Sequence, residues 1–138
     1  MVGRLVFLID TNIWLELLLE QERANEVQEF FGKVDSSKLY ITDFTIYSIG
    51  IILYKFQKIE TLKSFLTKSI IGANINKITL QEDELLSMLD DDECNKLDFD
   101  DSYQYYAAKK SNLKIISFDS DFDKTKLGRI TPAEAEAR

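Results

Sequence analysis

Leu5-Val6-Phe7-Leu8-Ile9-Asp10-Thr11-Asn12-Ile13-Trp14 changes character halfway along. Five apolar residues in succession, with no polar alternation, read as a strand buried on both faces, the pattern of a parallel sheet covered by helices. The run stops at Asp10, and Ile13, Trp14, Leu17 and Leu18 then recur at helical spacing. A buried strand that turns at once into an amphipathic helix is the opening of an α/β fold.

The same transition returns near the other end, where Lys114-Ile115-Ile116-Ser117-Phe118 reads as a strand that ends at Asp119. Between the two lie further alternating elements. A helical stretch with Val27, Phe30 and Phe31 runs to a stop at Gly32, and Leu39-Tyr40-Ile41 is a short strand. Thr42 or Asp43 caps a helix through Ile46, Ile49, Ile52 and Leu53, and a further helix carries Ile59, Leu62, Phe65 and Leu66. A weaker strand spans Asn76 to Ile78, and Thr79-Leu80-Gln81-Glu82 has the form of a capping box ahead of Leu85, Leu86 and Leu89. Asp98 is placed as an N-cap with Asp101 in the first helical turn, where the helix dipole favours negative charge. Thr131-Pro132-Ala133-Glu134 marks a short terminal helix. In a parallel sheet ligands bind beyond the carboxyl ends of the strands, so Asp10 and Asp119 are expected on one sheet edge.

Composition narrows the chemistry. The 138 residues, 45% of them apolar, fit one domain over 1–138. There is no histidine and a single cysteine, Cys94, which leaves no imidazole base, no Cys/His zinc site and no disulfide framework. A metal held here is held by oxygen, which suits Mg²⁺, Mn²⁺ or Ca²⁺. Leu5 to Ile9 is too short to span a membrane and lacks the flanks of a secretory signal, so the expectation is a cytoplasmic protein. A net charge of −7 argues against a surface that grips nucleic acid everywhere, but an acidic pocket that binds cations inverts its own local sign.

One aspartate after a strand is ordinarily a cap for backbone N–H groups. Two at strand ends and a third in a helix's first turn are different, because converging carboxylates repel until one is protonated or a cation binds. Asp10, Asp101 and Asp119 are therefore the candidate metal-binding and catalytic set. Carboxylate-held metal lowers the pKa of a water that attacks phosphorus and offsets charge on phosphate oxygens, so no histidine is needed.

Ile9-Asp10-Thr11-Asn12-Ile13-Trp14 resembles the opening motif of PIN domains. Asp101 with its alanine-containing helix, the run from Lys114 to Phe122, and Ile130-Thr131-Pro132 resemble the family's closing motifs, so the likeness spans nearly the whole chain. It implies a three-layer α/β/α sandwich with a central parallel sheet, Mg²⁺ or Mn²⁺ as cofactor, and endoribonuclease cleavage of RNA, as in VapC-type toxins. An antitoxin protein and a homodimer are the partners it implies. Asp10, Asp101 and Asp119 match the metal positions, Asp121 a further acidic position that acts through water or caps the turn at Phe122, and Thr11 and Asn12 either orient Asp10, contact substrate or cap the helix.

The family's second motif usually carries a glutamate on the helix after the second strand, and the matching position here holds Ser48. A hydroxyl replaces a carboxylate poorly, either as ligand or as water-orienting base. Asp43 falls on another helical face and is more simply a cap, whereas Asp98, three residues before Asp101, is placed to support the site through water. The gap keeps a second reading open: a catalytically weak or silent PIN fold that binds RNA or protein. A phosphoacceptor domain using Asp10 is disfavoured, since Asn12 stands where such domains need an acid and Lys114 precedes its strand. Tyr103, Tyr105 and Tyr106 are candidates for stacking single-stranded bases, with packing the simpler role. Lys55, Lys58, Lys63 and Lys68 form either a basic rim or a solvated face.

Overall fold

The computed structural model describes residues 5–136. Strand β1 (Phe7–Ile9) leads through α1 (Thr11–Leu18) and α2 (Ala24–Lys33) to β2 (Leu39–Thr42). The chain continues through α3 (Asp43–Lys55), α4 (Ile59–Phe65) and a π-helical turn over Leu66–Gly72 to β3 (Asn76–Ile78). Helices α5 (Glu82–Leu89) and α6 (Phe99–Ser111) precede β4 (Lys114–Ile116), and α7 (Pro132–Glu136) follows. All four strands are parallel, in the order β3-β2-β1-β4.

That order dictates the layers, because crossovers between parallel strands are right-handed. From β1 to β2 to β3 the chain steps one way, which puts α1 to α4 on one face. From β3 to β4 it doubles back past two strands, which puts α5 and α6 on the other. The pleat of β1 serves both faces. Phe7 and Ile9 join Leu39, Ile41, Trp14, Phe30 and Leu53 in one core, whereas Leu8 joins Ile115, Met88, Tyr105 and Phe122 in the second. The result is the expected three-layer α/β/α sandwich. Each fully buried Leu, Ile or Phe contributes about 1.5–3 kcal/mol of apolar burial. Trp14 anchors the first core, with ring centroids 4.7 Å from Phe31 and 5.2 Å from Phe65.

Several boundaries differ from the sequence expectation. The ladder begins at Phe7 rather than Leu5, although Val6 still accepts the Lys114 N–H at 3.0 Å. Helix α2 passes through Gly32 and closes at Val34, because nothing presses on Gly32 and a single exposed glycine does not break a helix held by Val27 and Phe30. The capping bond of α5 comes two residues later than expected: Glu84 accepts the Gln81 N–H at 2.9 Å. The later start leaves Leu80 buried against the sheet, with its N–H donated to the Tyr103 hydroxyl at 2.9 Å. Thr42, rather than Asp43, caps α3 by accepting the Thr45 N–H at 3.1 Å. The capping box at α7 forms as read, between Thr131 and Glu134. Ile130 adds a parallel bridge beside Ile116, so the outer edge of β4 is partly covered. Among the described residues no helix is long and apolar enough to cross a membrane.

The strand order reverses between β1 and β4. That reversal opens a crevice beyond their carboxyl ends, and Asp10 and Asp119 both reach it. Helix α6 is tied to β4 by a short link in which Asn112 takes a left-handed conformation, φ 56° and ψ 49°. Asparagine tolerates that region better than most residues. The link holds Asp101, at the other end of α6, in fixed relation to β4.

Candidate metal centre

The crevice is a pocket of roughly 320 Å³ whose polar lining includes Asp10, Thr11, Asn12, Ser48, Asp101 and Asp119. Leu15, Phe44 and Ile52 form its apolar wall. Asp10 caps α1 and is buried, and four donors converge on its carboxylate. Oδ1 accepts from the Thr11 N–H at 2.9 Å and from Gln104 Nε2 at 3.0 Å. Oδ2 accepts from Ser117 Oγ at 2.6 Å and from Asn12 Nδ2 at 3.2 Å.

The direction of the Ser117 bond follows from its other partners. Its oxygen already accepts the Asp119 N–H at 2.9 Å and the Asn12 amide at 3.2 Å, so its one hydrogen goes to Asp10. The same reasoning orders a second tier: the Thr42 hydroxyl donates to Gln104 Oε1 at 2.5 Å, while Gln104 Nε2 donates to Thr45 Oγ1 at 2.9 Å. Thr45 and Thr11 are linked through their hydroxyls at 2.9 Å. Burial raises the Asp10 carboxyl above its ordinary range and the charge of Asp119 adds to the rise, while the bonds from Ser117, Gln104 and Thr11 offset only part of it.

Asp101 stands in the first turn of α6 and is also buried, yet no N–H or O–H donor among the described residues reaches its carboxylate. Burial and the charges of Asp119, Asp100 and Asp10, together with a contact to the Asp119 carboxyl, push it up to about 8. Asp119 caps the turn after β4 by accepting the Asp121 N–H at 2.9 Å. That turn brings Asp121 alongside, half exposed and paired with Lys124 at 3.5 Å: ligand oxygens of Asp101, Asp119 and Asp121 all lie within 4.8 Å of one another. These half-buried to buried oxygens suit a hard divalent cation, which takes few carboxylates and keeps waters. The Asp101 carboxyl, buried among other carboxylates and reached by no N–H donor, is the observation that fits the group.

The structure thus distributes the sequence candidates unevenly. Asp101, Asp119 and Asp121 form the close cluster, and Asp10 lies in the same pocket with both oxygens occupied by protein donors. Thr11 and Asn12 touch Asp10, and Asn12 also accepts the Phe118 N–H at 3.1 Å. Ser48 lines the pocket from α3, where the other lining residues, Phe44 and Ile52, carry no charge. Asp98 is exposed at the N-cap position of α6 with no capping side-chain bond, and it is Asp100 that lines the pocket. Asp43 instead accepts the Tyr103 hydroxyl at 2.7 Å. Tyr103 and Tyr105 are buried in the second core.

The sequence marks neither Gln104, Thr45 nor Ser117 for the site, and Thr42 only as a helix cap. Two signals were present in retrospect: Gln104 follows Asp101 by three residues and so shares its helix face, and Ser117 precedes Asp119 by two, the strand period.

The PIN domain family model matches residues 7–127. The structure is similar to VapC20 of Mycobacterium tuberculosis, a sarcin–ricin loop cleaving toxin, at 12% identity and a TM-score of 0.70, covering 85% of this chain and 92% of that one. A toxin–antitoxin complex from Klebsiella pneumoniae is similar at 20% identity and a TM-score of 0.68, covering 91% and 96%. FitAcB from Neisseria gonorrhoeae is similar at 17% identity and a TM-score of 0.70, covering 93% and 99%. At these identities the likeness is one of fold. No curated protein matches the chain.

Proposed function

The chain belongs to the PIN domain family, and from that premise we propose that it is a Mg²⁺- or Mn²⁺-dependent endoribonuclease, acting on single-stranded RNA in the cytoplasm. The observation that carries this reading is the cluster of Asp101, Asp119 and Asp121, whose oxygens lie within 4.8 Å around a carboxylate that no protein donor satisfies. A divalent cation bound there supplies an activated water and offsets charge on the phosphate oxygens. Asp101 and Asp119, with Asp121, are the residues that would hold it. Asp10 is assigned a different share of the work: anchored by four donors at the pocket floor, it keeps Asn12 and Ser117 in place. Ser117 in turn fixes the backbone of Asp119.

Two of the solved neighbours are a toxin and a toxin–antitoxin complex, which supports an antitoxin protein as partner. The homodimer expected from the family finds a candidate face in Tyr47, Ile51 and Tyr54, exposed along one side of α3 at 67%, 71% and 66%. An exposed apolar face of this kind is one that a second copy of the chain would cover.

The test is cleavage of a mixture of single-stranded and structured RNA with Mg²⁺ or Mn²⁺, wild type against Asp101→Asn. Metal-dependent products in the wild type that Asp101→Asn lacks support the enzyme; equal residual cleavage in both marks a contaminant and ends this reading. A second reading rests on Ser48: with no acid reaching the pocket from α3, a fold that binds RNA or protein without cutting is the outcome if the wild type binds RNA and leaves it intact.

A further inference from the structure

Beside the acidic pocket lies a second groove, of roughly 540 Å³, which shares Asn12, Leu15 and Ile52 with it. Its far side is made by Arg23, Phe56 and Phe118. Phe118 is the residue immediately before Asp119, and its backbone is pinned by Asn12. Over its ring, 4.5 Å from the centroid, sits the guanidinium of Arg23. The Arg23 backbone is held by its own N–H donated to Glu16 at 3.1 Å. No carboxylate among the described residues pairs with the guanidinium. In a chain of net charge −7, a cation sits over an aromatic ring next door to the acidic cluster, with no hydrogen-bond partner for its guanidinium among the described residues.

We propose that this groove is a nucleotide subsite, in which Arg23 holds a phosphate next to the one placed at the acidic pocket and the neighbouring base lies on the apolar floor. The proposal rests on the nuclease reading above and adds the residue that positions the strand. A guanidinium stacked on an aromatic ring keeps its planar fork of donors free, the geometry that matches phosphate oxygens. Leu15, Ile52 and the 54% exposed ring of Phe56 give a base the flat apolar surface that single-strand binding uses without reading sequence. An apolar peptide segment would fit that floor too, but it leaves the guanidinium without a counter-charge, whereas a polynucleotide meets both. Glu16, the one acid in the groove, is turned to the Arg23 backbone.

The experiment measures binding of a labelled single-stranded RNA across a salt series, with Asp101→Asn as the non-cleaving background and Arg23→Ala, Arg23→Lys and Phe56→Ser added to it. Arg23→Ala is expected to weaken binding about tenfold, the value of one charge-assisted phosphate contact. It should also flatten the slope of log K against log salt by about one. Arg23→Lys retains the slope and recovers part of the affinity, and Phe56→Ser weakens binding with the slope unchanged. With Asp101 restored, Arg23→Ala raises KM more than it lowers kcat. Arg23 is exposed, so its variants are expected to melt with the parent, which separates a binding loss from unfolding. RNA binding that Arg23→Ala leaves unaltered in affinity and slope overturns the subsite alone. A wild-type protein that neither binds nor cuts RNA overturns the nuclease reading and the subsite with it.

Discussion

Asp10 and Asp101 are both buried, at 5% and 9% exposure, and both face the same pocket, yet their surroundings are opposite. Asp10 is met by four hydrogen-bond donors; Asp101 is met by other carboxylates. A buried charge costs several kcal/mol unless something compensates it. The protein compensates Asp10 from within, through Ser117, Gln104, Asn12 and the α1 N-terminus. It leaves Asp101 to be compensated from outside. A carboxylate satisfied by the fold belongs to the framework, and one left unsatisfied beside two more marks where a cation is to go.

The largest effect expected from this contrast is on catalysis. Asp101→Asn and Asp119→Asn remove charge from the cation side and should each lower RNA cleavage by about 10³-fold or more, roughly 4 kcal/mol of barrier. Their folding should be little disturbed, because no donor is orphaned at Asp101. Single-turnover cleavage at saturating Mn²⁺ reads the first claim and thermal melting the second. A well-folded Asp101→Asn preparation that cuts at the wild-type rate would mean the cleavage is not this protein's, and the nuclease reading would fall.

Next in size is the effect on stability. Asp10→Ala strips the acceptor from Ser117, Gln104, Asn12 and Thr11 at once, at a position only 5% exposed. Leaving buried donors unpaired should cost about 3 kcal/mol, read as a drop in denaturant midpoint with an unchanged m-value. Asp101→Ala, at similar burial, should cost much less. If Asp10→Ala proves the milder of the two, the four-donor network is not what holds the β1 end in place.

How much of this contrast could be read in the chain before folding follows from the range of each signal. The alternation of buried strands and amphipathic helices, the aspartates at the ends of β1 and β4, and Thr42 as a cap are local patterns, and they were legible. Gln104 and Ser117 were not. Each is an ordinary polar residue along the chain, and only tertiary contact brings Gln104 to Asp10 across 94 residues and Ser117 across 107. Asp121 was read as a lesser member because the turn that folds its carboxylate back onto Asp101 is set by the Asp119 cap, and a cap alone does not reveal which way the next side chain points. The division of labour between Asp10 and Asp101 was illegible for the same reason, since it depends on what each meets in three dimensions.

Metal sharpens the contrast thermodynamically. Mn²⁺ at a hundred times its Kd should stabilise the wild type by about 2.7 kcal/mol, if it binds only the folded state. Asp119→Asn and Asp101→Asn should lose most of that gain, and a chelator should return the wild type to its metal-free melting temperature. Asp10, with both oxygens taken by protein donors, belongs to the framework of the pocket rather than to the ligand set. A variant that keeps charge but lacks one donor, Gln104→Leu, should therefore keep most of the metal-induced stabilisation while lowering the metal-free baseline. Equal loss of metal stabilisation in Gln104→Leu and Asp119→Asn would erase the distinction between framework and ligand.

A third aspartate supplies the smallest and cleanest comparison. Asp91, beyond the end of α5, is satisfied by a cation of the chain itself: Oδ2 pairs with Lys109 on α6, and Oδ1 accepts the N–H groups of Glu93 at 2.9 Å and Cys94 at 3.0 Å. Burial works against its charge, but Lys109 and the two backbone donors outweigh burial and hold the carboxyl below its ordinary range. A group whose folded pKa is depressed stabilises the fold above its unfolded value, near 3.9, and loses that contribution as the pH falls through the folded value. Asp91→Asn should accordingly cost about 1 kcal/mol at pH 7 and progressively less as the pH falls below the unfolded value. The difference between variant and wild-type stability, measured by urea denaturation across that range, should shrink steadily with acid. A difference independent of pH would mean that Asp91 acts by shape rather than charge, and that internal compensation of a carboxylate in this fold does not depend on its ionisation.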